Sequence, residues 1–283
     1  MTRALHVVDA GPLSTVQDAG RPGHAHLGVP RSGWLDGPAA RLANRLVGND
    51  ADAAVIETTV GGVELRADGA LTVAVTGAAA PVTLDGRGAA WGEPVSLRPG
   101  QVVRVGPARA GVRSYVAVSG GIHLPPVLGS RATDVLSGLG PAPLSAGDVL
   151  PVGTGRSPRP LDAPRLPRLD GALRVDPGPR ADWLEGGVRR LLDGAWQVTA
   201  DSNRVGLRLA GEALPRARNG ELPSEGIVLG GVQVPPDGQP LVFLADHPTT
   251  GGYPVVAVVL ADDLWQCAQL RPGDAVRFRA AGR

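Results

Sequence analysis

Asp246, His247, Thr249, Thr250, Gly251, Gly252 and Tyr253 fall in one short stretch, DHPTTGGYP. It combines an acid, an imidazole, two hydroxyls, two adjacent glycines and a phenol. Successive backbone N–H groups around paired glycines can face a carboxylate, a phosphate or an oxyanion. Asp246 suits a general base, or a group that orients His247 or Tyr253. The apolar runs on either side, LVFLA (241–245) and VVAVVLA (255–261), predict two short buried strands. The polar cluster is therefore expected on a loop held by a rigid scaffold, where binding and catalytic groups are often carried.

Further polar clusters share that half of the chain. DSNRVGLRL supplies Ser202, Asn203 and Arg204 just before a predicted strand, LPSEG supplies Ser224 and Glu225, and GGVQVPPDGQP supplies Gln233 and Gln239. A carboxylate, a guanidinium and side-chain amides suit a small polar substrate bearing a carboxylate or ureido group. An arginine fork can hold a carboxylate through two parallel charge-assisted bonds. Turn chemistry explains any one of these residues alone; the set, sharing one half with a Gly-Gly loop, points to function. In the first half, the Gly- and Pro-rich segment 11–38 carries Gln17, Asp18, Arg21, Ser32 and Asp36. Leu13, Val16, Leu27, Val29 and Trp34 give it apolar anchors, so this long irregular segment reads as functional rather than disordered. His24 and His26 would share a strand face, but no carboxylate stands at ligand spacing, and no metal site is expected. Cys267 lies on an apolar helix face and reads as core. No Gly-x-Ser-x-Gly elbow is present.

Composition narrows the chemistry. All 28 basic residues of the 283 are arginine. Without lysine the chain cannot form a Schiff base, carry a Walker-type phosphate lysine or be biotinylated. Nucleotide or biotin chemistry must then be shared with another chain, or rely on arginine and backbone N–H groups. A net charge of +1 gives no reason to expect nucleic acid or an anionic membrane as partner. With no long apolar run, no leader-like N-terminus and a single cysteine, the sequence reads as a cytoplasmic protein with no disulfide framework.

The elements that must position these groups are mostly strands. Val63 to Val105 alternates short β-branched runs with turns, and Asp85-Gly86 is a hairpin signal. Many short strands with few helices indicate barrels or sandwiches. A helix is predicted after Asp36, its N-cap, with Pro38 in the first turn, an apolar stripe of Ala39, Leu42, Ala43 and Leu46, and a stop at Gly48. Two more are predicted at 181–192, weakened by Gly186 and Gly187, and at 262–270, capped by Asp262. The Pro- and Arg-rich segment 156–169 reads as a linker, dividing an N-terminal β-rich domain (1–155) from a C-terminal β-barrel domain (170–283). The halves echo one another: LRVDPGP (173–179) follows LHVVDAGP (5–12), and LRPGDAVRF (270–278) follows LRPGQVVRVG (97–106) and LSAGDVLPVG (144–153).

GPLSTVQDAGRPGHAHLGVPRSGWLD, ANRLVGND, VIETTVGG, LTVAVTGA, SYVAVSGGI, VLGSRATD, SNRVGLRL, SEGIVLGGVQVPPDGQP, TTGGYP and AQLRPGD, taken in order, resemble the biotin-dependent carboxyltransferase family. That family is also described as allophanate hydrolase subunit 2 or as the C component of 5-oxoprolinase. The resemblance spans about Leu5 to Phe278. It implies two cyclophilin-like β-barrel domains with a few short helices. It implies one component of an ATP-dependent 5-oxoprolinase, which opens the lactam of 5-oxoproline to L-glutamate. This chain would be inactive without its companions, a KipI-like B component and a LamB/YcsF-like A component. The alternatives it carries are a biotin-dependent carboxyltransferase component acting on urea or a related amide, and a non-enzymatic antagonist of a kinase-inhibitor partner. For the site, it implies Arg204, Asn203 and the Gly251–Gly252 N–H groups on oxyanion or carboxylate, Asp246 and Tyr253 near the proton, and Gln17, Asp18, Arg21 and Ser32 as a matching wall. Family sequences often have lysine after TTGGYP; here Val255 stands there, which disfavours biotin transfer.

Overall fold

In a computed structural model, which describes residues 3–155, 168–218, 220 and 222–282, the chain forms two compact units. Within the described residues one unit holds 3–21, 32–134 and 138–155, and the other holds 22–31, 135–137 and 168–282. The predicted linker falls almost wholly outside the described residues. Among the described residues no helix is long and apolar enough to cross a membrane.

The first unit contains β1 (Ala4–Asp9), β2 (Ser14–Gln17), α1 (Gly37–Leu46), β3 (Val55–Thr59), β4 (Glu64–Asp68), β5 (Leu71–Ala79), β6 (Val82–Leu84), β7 (Arg87–Ala89), β8 (Pro94–Leu97), β9 (Val102–Val105), β10 (Ala110–Val118) and β11 (Val149–Pro151). They make a six-stranded sheet in the order β11-β1-β4-β9-β6-β7 and a five-stranded sheet in the order β2-β3-β10-β5-β8. Alternation explains the first sheet: Leu5 and Val7, Leu65 and Ala67, and Val103 and Val105 are buried, and they pack in one core with Ile56, Val73, Val75, Val116 and Val118 of the second sheet. The second sheet is covered on its other face too. Ala39, Ala40, Ala43 and Leu46 of α1 pack on Val55, Ala74, Tyr115 and Ala117. A strand buried on both faces loses its polar alternation, which is why β10 is apolar almost throughout.

α1 starts as its sequence demands. The Asp36 carboxylate accepts the Ala39 N–H at 2.9 Å, a cap whose loss costs about 1 kcal/mol. The helix stops at Gly48, which is left-handed at φ 77° and donates its N–H to the Arg45 carbonyl.

The second unit contains β12 (Ala172–Pro177), α2 (Val188–Asp193), β13 (Trp196–Val198), β14 (Gly206–Ala210), β15 (Glu225–Gly226), β16 (Gly231–Gln233), β17 (Leu241–Phe243), β18 (Thr250–Gly251), β19 (Val255–Val259), α3 (Leu264–Gln269) and β20 (Ala275–Ala280). Seven strands close into a barrel in the order β12-β19-β16-β17-β14-β13-β20, and β15 pairs with β18 outside it. Leu173 and Val175, Leu207 and Leu209, and Val276 and Phe278 are buried at a spacing of two, the pattern of strands with one face turned inward. The mainly β architecture with short helices is as expected. Of the echoed segments, 144–153 and 270–278 lie beside the first strand of their unit, with β11 antiparallel to β1 and β20 parallel to β12, whereas 97–106 contains β9, between β4 and β6. For the first two the sequence echo therefore carries over to position and not to direction.

Two helix predictions need correction. The segment 181–192 is not one helix: a 3-10 turn at Ala181–Trp183 is separated from α2 by Gly186 and Gly187, both left-handed at φ 76° and 63°. Asp262 is exposed and caps nothing. Asp263 precedes α3 without a side-chain cap and instead pairs with Arg174, at 2.9 and 2.7 Å. His24 and His26 do not share a strand; His24 precedes a 3-10 turn at Ala25–Leu27 and His26 lies within it.

Candidate functional site

In the second unit the site is built on the ends of barrel strands. Asn203 Oδ1 accepts the N–H groups of Val205 and Gly206, at 2.8 and 3.3 Å, and this turn launches β14. The turn delivers Arg204 inward. Its Nε donates to Asp246 Oδ2 at 2.8 Å and its Nη2 to Oδ1 at 3.0 Å, with the two side chains 2% and 0% exposed. The Asp246 N–H donates back to the Arg204 carbonyl at 3.1 Å, and the Val135 N–H donates to Asp246 Oδ2 at 3.1 Å. The fork assigned from sequence to a substrate carboxylate is thus filled by the chain's own carboxylate. Two charges leaving water together need this bidentate geometry to offset their desolvation. His247, also buried, sets Nδ1 2.7 Å from the Pro248 carbonyl, its ring centroid 5.9 Å from that of Phe243.

The glycines of TTGGYP do not form the predicted nest. Gly251 and Gly252 lie outside the left-handed region. Thr250 and Gly251 make β18, paired with Gly226 and Glu225 of β15. Space is tight there: a Cβ on Gly251 would stand 2.7 Å from Ile227 Cδ1, and one on Gly252 would stand 3.0 Å from the Leu222 carbonyl oxygen. Glu225 is gripped by Arg180 through both carboxylate oxygens, and this hydrogen-bonded pairing pulls its pKa below the ordinary carboxylate range. Gln233 Nε2 donates to the Tyr253 carbonyl at 3.1 Å, and the Arg216 guanidinium stands 5.8 Å from the Tyr253 ring centroid. Thr249 accepts the Ile227 N–H on its carbonyl. Ser224 is exposed beside Glu225.

Three sequence candidates serve local structure. Ser202 Oγ bridges both backbone groups of Arg208, and Gln239 does the same for Gly211. Asn203 makes the turn already described. Ser202 and Asn203 do line an open surface hollow of about 560 Å³ with Asp201 and Arg208.

In the first unit, Gln17, Asp18, Arg21 and Ser32 gather on one loop, 130–133. Asp18 Oδ1 accepts the Gly20 N–H and the Ser130 hydroxyl, at 2.9 and 2.5 Å, and Oδ2 accepts the Arg131 N–H at 2.6 Å. The Ser32 hydroxyl and Gln17 Nε2 both donate to the Thr133 carbonyl, at 3.0 and 2.9 Å, and Arg21 Nη2 donates to the Ala132 carbonyl. Arg131 also lines a cleft of about 560 Å³ with Asn49, Asp50, Gly120, Gly121 and His123. Behind this, a buried network fixes the entry to α1. The Tyr115 hydroxyl donates to Glu57 Oε2 at 2.8 Å and accepts the Asp36 N–H at 2.7 Å, while Glu57 Oε2 also accepts the Leu35 N–H at 3.0 Å. Burial, with Glu57 and Asp36 nearby, pushes the Tyr115 phenol well above its usual pKa.

Sequence reasoning missed Ser130, Arg131, Thr133, Glu57, Tyr115, Arg180 and Arg216 as partners of this machinery. The signal available was faint: VLGSRATD, VIETTVGG and SYVAVSGGI stand out as motifs, but nothing in their spacing says which loops they meet.

The sequence matches the family described as carboxyltransferase domain, subdomains A and B, over residues 27–280. It is 39% identical over 282 residues to the C component of 5-oxoprolinase from Escherichia coli, covering 97% of this chain and 90% of that one. The corresponding Haemophilus influenzae protein is 31% identical, with 98% and 91% covered. The solved structure of the K. lactis urea amidolyase aligns with a TM-score of 0.92 at 30% identity, over 99% of this chain but 19% of that one. Against the solved structure of TTHA0988, the TM-score is 0.89 at 41% identity over 98% of this chain, which spans 55% of that chain's length.

Proposed function

This chain belongs to the carboxyltransferase domain family, subdomains A and B, and on that premise we propose that it is the C component of an ATP-dependent 5-oxoprolinase. The observation that carries the reading is the near end-to-end match to the Escherichia coli protein of that name. The overall reaction hydrolyses the lactam C–N bond of 5-oxoproline with water to give L-glutamate, driven by hydrolysis of ATP to ADP and phosphate. A lactam carbonyl is a poor electrophile and its nitrogen a poor leaving group, so the site must stabilise charge on oxygen and supply a proton to nitrogen.

Within this chain we assign Asp246 to proton management, with Arg204 and the Val135 N–H holding its carboxylate in one orientation. Arg204 is then a positioning residue rather than a substrate clamp. Tyr253, fixed through its carbonyl by Gln233 and set against Arg216, offers a phenol to the same step. ATP is a co-substrate of the complex: the chain has neither lysine nor a phosphate-binding glycine loop of Walker type, so nucleotide chemistry is shared with the companion components or relies on arginine and backbone N–H groups. It works in the cytoplasm as part of that heteromeric complex and is inactive alone. The carboxyltransfer alternative is disfavoured by Val255 where the family often carries lysine, and by relatives such as the Saccharomyces cerevisiae urea amidolyase, of which the chain covers only 16%.

The test is reconstitution. Glutamate release from 5-oxoproline and ATP is measured with all three components and with this chain left out. Activity should vanish on omission; undiminished release without the chain refutes the assignment.

A further inference from the structure

Arg21 is 1% exposed, yet its guanidinium meets only backbone carbonyls: Nη2 donates to Ala132 O, Nε reaches Val127 O at 3.4 Å, and no carboxylate pairs with it among the described residues. Its Nη1 has no hydrogen-bond partner among the described residues. A buried cation without a counter-charge is among the costliest arrangements a protein can hold. It is not isolated. Thr133 Oγ1 and Gln17 Oε1 are likewise buried and unpartnered. The three side chains meet on one dipeptide, since Arg21 bonds the Ala132 carbonyl and Gln17 Nε2 bonds the Thr133 carbonyl. That second bond, with a further one from Nε2 to Thr15 Oγ1 at 3.0 Å, fixes the amide so that Oε1 is the atom left over. Gly140 closes in from the other side, where a Cβ would stand 3.0 Å from Arg21 Nη2 and 2.1 Å from the Ala132 oxygen.

The orphaned atoms are a cationic donor, a hydroxyl and an acceptor. A simple anion would satisfy the first two and leave Gln17 Oε1 wanting a donor. A molecule carrying a carboxylate beside an N–H satisfies all three. We propose that Arg21, Thr133 and Gln17 form a binding subsite for a small carboxylate bearing an adjacent amide N–H, the Arg21 Nη1 and Thr133 hydroxyl donating to its carboxylate and Gln17 Oε1 accepting from its N–H. On the 5-oxoprolinase reading, which supplies the ligand's name, that molecule is 5-oxoproline, held by its carboxylate and its ring N–H.

Binding to the full chain is measured by calorimetry and thermal shift with four probes: 5-oxoproline, its carboxamide, its N-methyl derivative and acetate. 5-Oxoproline should bind at least tenfold more tightly than each of the others, and Arg21→Met should abolish the preference. Because Arg21→Met can also perturb folding, Thr133→Val serves as the second variant. Removing a hydroxyl that is orphaned without ligand should raise the melting temperature of the free chain and shrink the shift caused by 5-oxoproline, two effects of opposite sign. Equal binding of all four probes, or a Thr133→Val chain that melts lower with an unchanged ligand shift, means internal water completes these groups and overturns the subsite. The two readings fail separately. If the reconstituted complex releases glutamate with unchanged KM when it carries Thr133→Val, the subsite falls and the enzyme stands. If the chain binds 5-oxoproline as described but no complex turns it over, the enzyme falls and the subsite stands.

Discussion

Replacing Asp246 by asparagine removes one charge from a pair that is 0% and 2% exposed while keeping the side chain's shape. Arg204 would then hold an uncompensated guanidinium in the protein interior. The Asp246→Asn side chain can present an acceptor to only one of the two donors now spaced at 2.8 and 3.0 Å, and its amide group would face the other. Breaking one side of a buried pair costs about 3–5 kcal/mol. For a chain of this size that corresponds to a fall in melting temperature of roughly 6–20 °C. Arg204→Met should cost a similar amount by leaving the carboxylate buried alone. The double variant Arg204→Met/Asp246→Asn removes both charges and should cost less than the sum of the singles, with a coupling of about 2 kcal/mol or more. Urea unfolding followed by hydrogen exchange over 203–209 and 241–247 reads the barrel unit specifically. If Asp246→Asn shifts the unfolding free energy by less than about 0.5 kcal/mol, the range of ordinary surface changes, the pair does not bear on the fold and Arg204 cannot be the residue that aims Asp246.

Tyr115→Phe should destabilise the first unit by about 2–4 kcal/mol, because the Asp36 N–H and Glu57 carboxylate each lose a buried partner; calorimetry against a control on an exposed face measures it. Cys267, its thiol pushed up to about 12 by burial, should resist a thiol reagent in the folded chain and react fully in denaturant; rapid labelling of folded protein would contradict the packing of α3. Asp263 has its pKa lowered, first by its hydrogen bond from the Arg174 side chain. A carboxyl depressed on folding contributes stability that is present above its unfolded value, about 3.9, and is lost as pH falls through the lower native value. Arg174→Met should therefore flatten the acid limb of the stability profile below about pH 4, measured by urea midpoints across pH.

The β-rich class, the Asp36-capped helix and the buried Cys267 were legible in the sequence because each depends on local chemistry: β-branched alternation, a capping carboxylate ahead of Pro38, and an apolar helical face. The same locality explains the misjudged segments. Asp262 and Asp263 are interchangeable as capping residues by type and spacing, and only the position of Arg174 on β12 decides that Asp263 turns to it. Gly251–Gly252 has the composition of an anion nest, but pairing with Glu225–Gly226 draws the stretch into extended backbone.

The sequence by itself determined which residue types are available: one set of polar loops in each half, arginine as the sole cation side chain besides histidine, and motifs that place the chain in its family. Tertiary structure alone decided what those residues face. Arg204 and Asp246 are far apart in sequence and become each other's partners, so a fork that reads as a substrate clamp is spent inside the protein. Arg21 meets no acid among the described residues and is left with an open donor beside two other orphaned groups. The difference is one of range. Propensity and capping act over a few residues, whereas the cost of burying a charge is settled by whichever loop the fold happens to bring alongside it.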